Sequence, residues 1–159
     1  MQVTGSSYTH RFTLVPRQFF VEEDARNILS DAVSMEPGSD VSFVDIPECG
    51  AVLLYEDTAD GRMPEVWFLL SMLPGISEYN KVIASFARGR LFLVISEGRT
   101  LRLCNSYDAN DFTTAEYYIF LAMKRFQLNP EMSAIYFHTP LSEEQEMSLY
   151  RYFRSVEQR

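Results

Sequence analysis

The sequence is poor in the residues that staple small secreted folds and build metal centres. Cysteine occurs twice, at Cys49 and Cys104, and histidine twice, at His10 and His138. A disulfide-held secreted domain carries more cysteines, and a zinc site clusters them. Seven Gly and seven Pro exclude collagen-like and low-complexity classes. No run approaches the roughly 18 apolar residues that span a bilayer, and the densest, Val66–Leu73, is far shorter. The opening MQVTGSSYTHRF lacks the apolar stretch of a signal peptide. Positive charge is also scarce. Acids outnumber bases 22 to 14, a formal charge of -8, which opposes non-specific binding to DNA, RNA or anionic lipid. These absences lead us to expect a cytoplasmic chain with reduced thiols and neither nucleic-acid nor membrane partners.

What is present is a core. The chain has 159 residues, of which 47% are hydrophobic, enough for one ordinary domain or two very small ones. A chain of this length buries roughly 68–70% of its unfolded surface, so no staple is needed. The 12 Phe and 9 Tyr need burial or a partner surface.

Met1–Tyr8 is small and polar and is expected to fray or form a weak edge. Arg11–Val15 reads as a strand ended by Pro16, which has no amide to donate. Ala25, Ile28, Leu29, Ala32 and Val33 recur at helical spacing and predict a helix over Glu22–Ser34, stopped by Pro37-Gly38. Val41–Ile46 and Ala51–Tyr55 form a hairpin, the second run apolar on both faces and so covered on both. After the polar loop Asp57–Arg62, Pro64–Leu73 reads as a helix apolar all round, either buried or facing a partner.

Lys81–Ala87, Leu91–Ile95 and Leu101–Asn105 are strand-like with short connections, an antiparallel meander. A helix follows over Asp111–Leu128, with Thr113 and Glu116 at capping-box spacing. Ser133–Phe137 reads as a buried strand and Ser142–Glu157 as a last helix, with Ser142 and Gln145 again at capping-box spacing.

Strand, strand, strand, helix, strand, helix predicts an α/β chain with a mixed sheet. A three-strand meander is joined by a parallel strand through a helical crossover, with helices flanking. That order matches the opening of the ribonuclease-H-like fold, whose last strand is expected to be missing here. We therefore divide the chain into 9–79, a partial first-lobe-like segment (strand, helix, hairpin, helix), and 80–159, a ribonuclease-H-like segment lacking its last strand.

Specific stretches carry a closer likeness. Phe12-Thr13-Leu14-Val15-Pro16 with Phe19-Phe20, and Leu103-Cys104-Asn105-Ser106-Tyr107 running into Asp111-Phe112 and Glu116-Tyr117-Tyr118, resemble an uncharacterised bacterial family. That family is a domain of unknown function with an actin-like ATPase fold. The resemblance spans Phe12 to Phe137 and implies a shortened two-lobed chain. Members of the family are longer and have a complete first lobe.

The resemblance also implies where nucleotide chemistry would sit. Actin-like enzymes hold phosphates with Gly-rich hairpins, whose backbone amides approach the anion, and an acid in the turn positions the metal. The equivalent hairpin here is Ala87-Arg88-Gly89-Arg90, with one glycine and no acid. Arg88, Gly89 and Arg90 form a candidate anion-binding hairpin, against the plainer reading of a solvated β-turn. Phe137-His138-Thr139-Pro140 stands where the resemblance places an adenosine-contacting glycine pair.

Asn105–Asp111, with Asp108 and Asp111, has oxygen ligands for a cation, although turn and cap chemistry also explains it. Cys104, His138 and an acid would make a thiol catalytic set only if the fold joined them. Tyr117, Phe120 and Leu121 lie off the stripe of their helix and belong either to a three-layer core, the favoured reading, or to an exposed association patch. We expect no cofactor, no catalytic residues and no metal site. The leading function is a non-enzymatic protein-interaction or assembly module, with another protein or a second copy (a homodimer) as partner. The alternative is a nucleotide-binding ATPase or phosphotransferase of the actin-like superfamily.

Overall fold

Alternating hydrophobicity and turn residues set the elements of the computed structural model, which describes residues 6–57 and 60–159. Met1–Gly5, and Thr58 and Ala59 of the expected loop, lie outside the described residues. The chain divides into two compact units, Met1–Ser71 and Met72–Arg159.

In the first unit, β1 (Phe12–Pro16), β2 (Val41–Ile46) and β3 (Ala51–Glu56) form an antiparallel sheet of order β1-β3-β2. The middle strand β3 is buried from Ala51 to Tyr55, as a run apolar on both faces requires. Helix α1 (Ala25–Ala32) lays Ala25 and Leu29 against Val52 and Leu54. It is shorter than predicted. Glu22–Asp24 forms a 3-10 turn, and Val33 turns extended to pack beside the helix rather than within it. Pro16 does not end β1 from outside. It lies within the strand opposite Ala51, on a sheet edge where a missing amide breaks no ladder. The β2–β3 hairpin turns through Pro47–Cys49 and closes on Gly50 at φ 60, a left-handed conformation that glycine adopts without strain. Helix α2 (Glu65–Ser71) follows Pro64 and ends two residues sooner than predicted, because Leu73–Gly75 tightens into a 3-10 turn.

The second unit carries β4 (Asn80–Ala87), β5 (Arg90–Glu97), β6 (Thr100–Asp108), α3 (Phe112–Arg125), β7 (Ala134–Phe137), α4 (Glu143–Tyr150) and β8 (Ser155–Gln158). The sheet order is β6-β5-β4-β7-β8. β4, β5 and β6 are antiparallel neighbours, whereas β7 runs parallel to β4, with Val82 opposite Ile135. This is the expected meander with a helical crossover. Ala115, Ile119, Ala122 and Met123 of α3 and Leu149 of α4 join one core with Val82, Leu91, Leu93, Ile95, Ile135 and Phe137.

Two expectations are corrected here. The last helix ends at Tyr150, and Ser155–Gln158 is a strand parallel to β7, so the second sheet does not lack its last strand. Phe153 and Val156 carry a helix-like spacing, but both are buried from irregular or extended backbone. The units also divide before Met72 rather than at 79/80. Residues 72–79 attach to the second sheet: the Arg159 guanidinium donates to the Gly75 carbonyl at 3.3 Å, and the Tyr79 ring covers Gly98 so closely that a Cβ there would meet it at 2.8 Å.

The start of α3 also departs from expectation. Asp111 is the cap, accepting the Thr114 amide at 2.7 Å, which holds its carboxyl below the usual range. Thr113 therefore sits inside the first turn, and Glu116 accepts the Ser148 hydroxyl instead, at 2.9 and 3.0 Å. The second capping box forms as predicted, with Ser142 and Gln145 each accepting the other's amide.

Candidate functional site

The β4–β5 hairpin turns in two residues, Arg88 at φ 55 and Gly89 at φ 70. Two consecutive left-handed residues make a tight primed turn, whose twist suits a hairpin. Arg88 and Gly89 are exposed, while Arg90 reaches Asp108 at 2.6 Å and the Ser106 hydroxyl at 3.4 Å. The Gly89 carbonyl accepts the Ala109 amide at 2.9 Å. An anion at this hairpin would compete with Asp108 for Arg90.

The neighbouring acids have local work of their own, Asp108 as that ion-pair partner and Asp111 as the cap of α3. Cys104 lies on β6 and His138 follows β7, three strand spacings across the sheet, roughly 14 Å. The fold does not join them into a thiol pair.

The off-stripe side chains of α3 divide. Phe120 is half-buried, its ring 4.8 Å from Tyr152 and 5.7 Å from Phe153. Tyr117 is 59% exposed and Leu121 49%. The favoured core reading is therefore corrected for those two. Both helices pack onto the same face of the sheet, and no further layer covers the outer side of α3 among the described residues.

Leu121 lines a groove of about 580 Å³ built from β6, α3 and Phe126, the residue that caps the helix. Its floor is apolar, with Leu103 and Tyr107 from the strand and Tyr118 and Ala122 from the helix. Tyr107 stacks on Tyr118 at 4.8 Å with 13° between the ring planes, and burial pushes its phenol pKa up. At one end stand Lys124 and Arg125, both exposed, the Arg125 guanidinium 5.8 Å from the Phe126 ring. The helix stops sharply there. The Gln127 amide donates to the Lys124 carbonyl and the Leu128 amide to the Met123 carbonyl, with Gln127 left-handed at φ 59.

Strand β6 pairs only with β5, so its other side is an open edge among the described residues. A bulge at Arg102 interrupts the register, which is regular from Leu103 to Asp108. Arg11, Arg17, Arg62, Arg90, Arg102 and Arg154 each pair with a carboxylate. Among the described residues, Lys124 and Arg125 do not, and neither do Arg26, Lys81, Arg99, Arg151 and Arg159, so what sets the first two apart is their place beside an apolar groove. Sequence reasoning had one signal for this site, the apolar residues off the α3 stripe. It missed the two cations, which at a helix C-terminus read as ordinary dipole partners.

A second cluster lies elsewhere in the unit. The Tyr136 hydroxyl donates to Glu78 at 2.7 Å, Arg154 approaches Glu78 at 3.7 Å, and Arg159 lies 4.9 Å over the Tyr136 ring. Burial and the Glu78 bond push the Tyr136 pKa up to about 12, while the Tyr136 bond holds Glu78 below its usual value. The signs follow from linkage. Tyr136 contributes stability that is complete below its unfolded pKa of 10.0 and is lost as pH rises towards about 12. Glu78 contributes stability present above 4.5 and lost as pH falls through its lower folded value. Urea midpoints measured against pH should fall at both ends. Tyr136→Phe should flatten the alkaline limb, and an unchanged alkaline limb would show that ionisation of Tyr136 does not set it.

A family model described as a protein of unknown function (DUF3822) matches residues 66–156. Among solved structures, the chain is similar to a protein of Bacteroides thetaiotaomicron VPI-5482, described as having an actin-like ATPase fold and unknown function. Identity is 18%, the TM-score is 0.76, and the match covers 96% of this chain and 66% of that one. This chain thus spans 66% of that protein's length, and at this identity the likeness shows the fold alone. No curated protein matches.

Proposed function

The chain belongs to the DUF3822 family of proteins of unknown function and has an actin-like fold, and from that premise we propose that it is a non-enzymatic protein-interaction module of the cytoplasm. One observation carries the reading. Among the described residues, an open strand edge, an apolar groove and two cations without acidic partners coincide on β6 and α3. Apolar patches rimmed by polar groups mark association surfaces. Fold alone does not separate binding from catalysis, so the site must.

Two measurements test it. A photo-crosslinking amino acid at Leu121, introduced in the native cell, should give a discrete protein adduct that the same group at exposed Glu131 does not. Equal or absent adducts would count against the reading. A thermal melt with millimolar ATP and magnesium should leave Tm unchanged. A ligand at a hundred times its Kd stabilises by about 2.7 kcal/mol, so a shift of several degrees that disappears in Arg88→Ala would install the nucleotide-binding alternative.

A further inference from the structure

The groove and the strand edge beside it share one geometry. An extended segment laid along β6 would complete main-chain hydrogen bonds that the edge leaves open. Its side chains would alternate between the two faces of the sheet, so every second one would fall on the α3 side. There the regular stretch Leu103–Tyr107 and the exposed Leu121 offer an apolar seat, and Lys124 and Arg125 stand at its end. Dipole compensation accounts for cations at a helix C-terminus, but not for an apolar hollow opening beside them.

The charge of the occupant follows from the lining. Among the described residues no carboxylate lines the groove, although acids exceed bases 22 to 14 over the whole chain. A second copy presenting this same face would therefore bring no acid to Lys124 and Arg125. We propose that the β6–α3 groove takes an extended segment of a partner protein, in which a large apolar residue and an acidic residue stand two positions apart and so share one face. The apolar residue sits between Tyr118 and Leu121, and the acid meets Lys124 or Arg125. This rests on the interaction reading above and narrows it to one partner chemistry and one mode of docking.

Short blocked peptides of the pattern large apolar, any residue, acidic are the probe, compared with the same peptides carrying lysine in place of the acid. Fluorescence anisotropy reports affinity, and amide hydrogen exchange reports the strand. The acidic set should bind the full chain. Lys124→Glu or Arg125→Glu should each weaken it about tenfold, and Leu121→Glu should abolish it. All three positions are exposed, so the variants should stay folded and unfold cooperatively, the two charge reversals lowering Tm slightly because a cation at a helix C-terminus offsets the dipole. Amides within Leu103–Tyr107 should exchange more slowly in the complex. The proposal is overturned if lysine peptides bind as well, if charge reversal changes nothing, if the β6 amides are unmoved, or if no peptide prefers wild type to Leu121→Glu. A Leu121 crosslink that persists beside any of these results would leave the interaction reading standing and remove only the acidic-strand mode.

Discussion

Phe137→Ala is expected to lower the unfolding free energy by about 3–5 kcal/mol, the range for emptying a buried aromatic site. Phe137 is fully buried on β7, between its neighbours on β4 and β8, opposite Ala84 and Gln158. Its ring lies 6.1 Å from that of Phe112 at the start of α3. The small Ala84 across the ladder cannot swell to fill the space, so the cavity term adds to the lost burial. Tyr117→Ala, on the exposed side of α3, is the control and should cost well under 1 kcal/mol. Urea unfolding with an unchanged m-value measures both. A Phe137 cost near that of Tyr117 would mean that β7 does not organise the core.

Val156→Asp should be nearly as damaging, on the order of 3 kcal/mol, because it places an unpaired carboxylate in an apolar cluster. Val156 is 6% exposed and faces the core that Leu149 and Phe153 share, while the next residue, Glu157, is exposed. Strand alternation predicts this contrast. Glu157→Val should therefore be almost neutral. Equal tolerance of the two substitutions would take β8 out of the sheet.

Where local pattern and tertiary pattern agree, the sequence is legible. The β4–β5–β6 meander has short turns and long β-rich runs, and its reading needed only adjusted ends. The Ser142–Gln145 box and the Ser133–Phe137 strand are local signals and survive as well. The errors arise where spacing is ambiguous. Leu149, Phe153 and Val156 fit a helical stripe, but a four-residue strand needs only one inward side chain, and Val156 supplies it. The α3 cap was misplaced by two residues because Asp111 and Thr113 are both able caps, and where the backbone turns helical decides between them. Leu121 and Tyr117 show the same limit. Periodicity places them off the stripe, but only the topology, with both helices on one face, says that nothing covers them. The groove's helix wall was signalled by Leu121 off the stripe, but its strand wall was not, since it needs Leu103 and Leu121 brought together across a strand–helix connection.

The mixed sheet also dictates an order of assembly. The pairings of β4 with β5 and of β5 with β6 close across two-residue turns, whereas the parallel pairing of Val82 with Ile135 closes only after the whole meander and α3 have been threaded between them. Loop-closure entropy makes contacts between such distant residues slow to form. The hairpin pairings are therefore expected to form ahead of those of β7 and β8, and β7 completes the sheet by covering the side of β4 that the meander alone would leave as a second raw border.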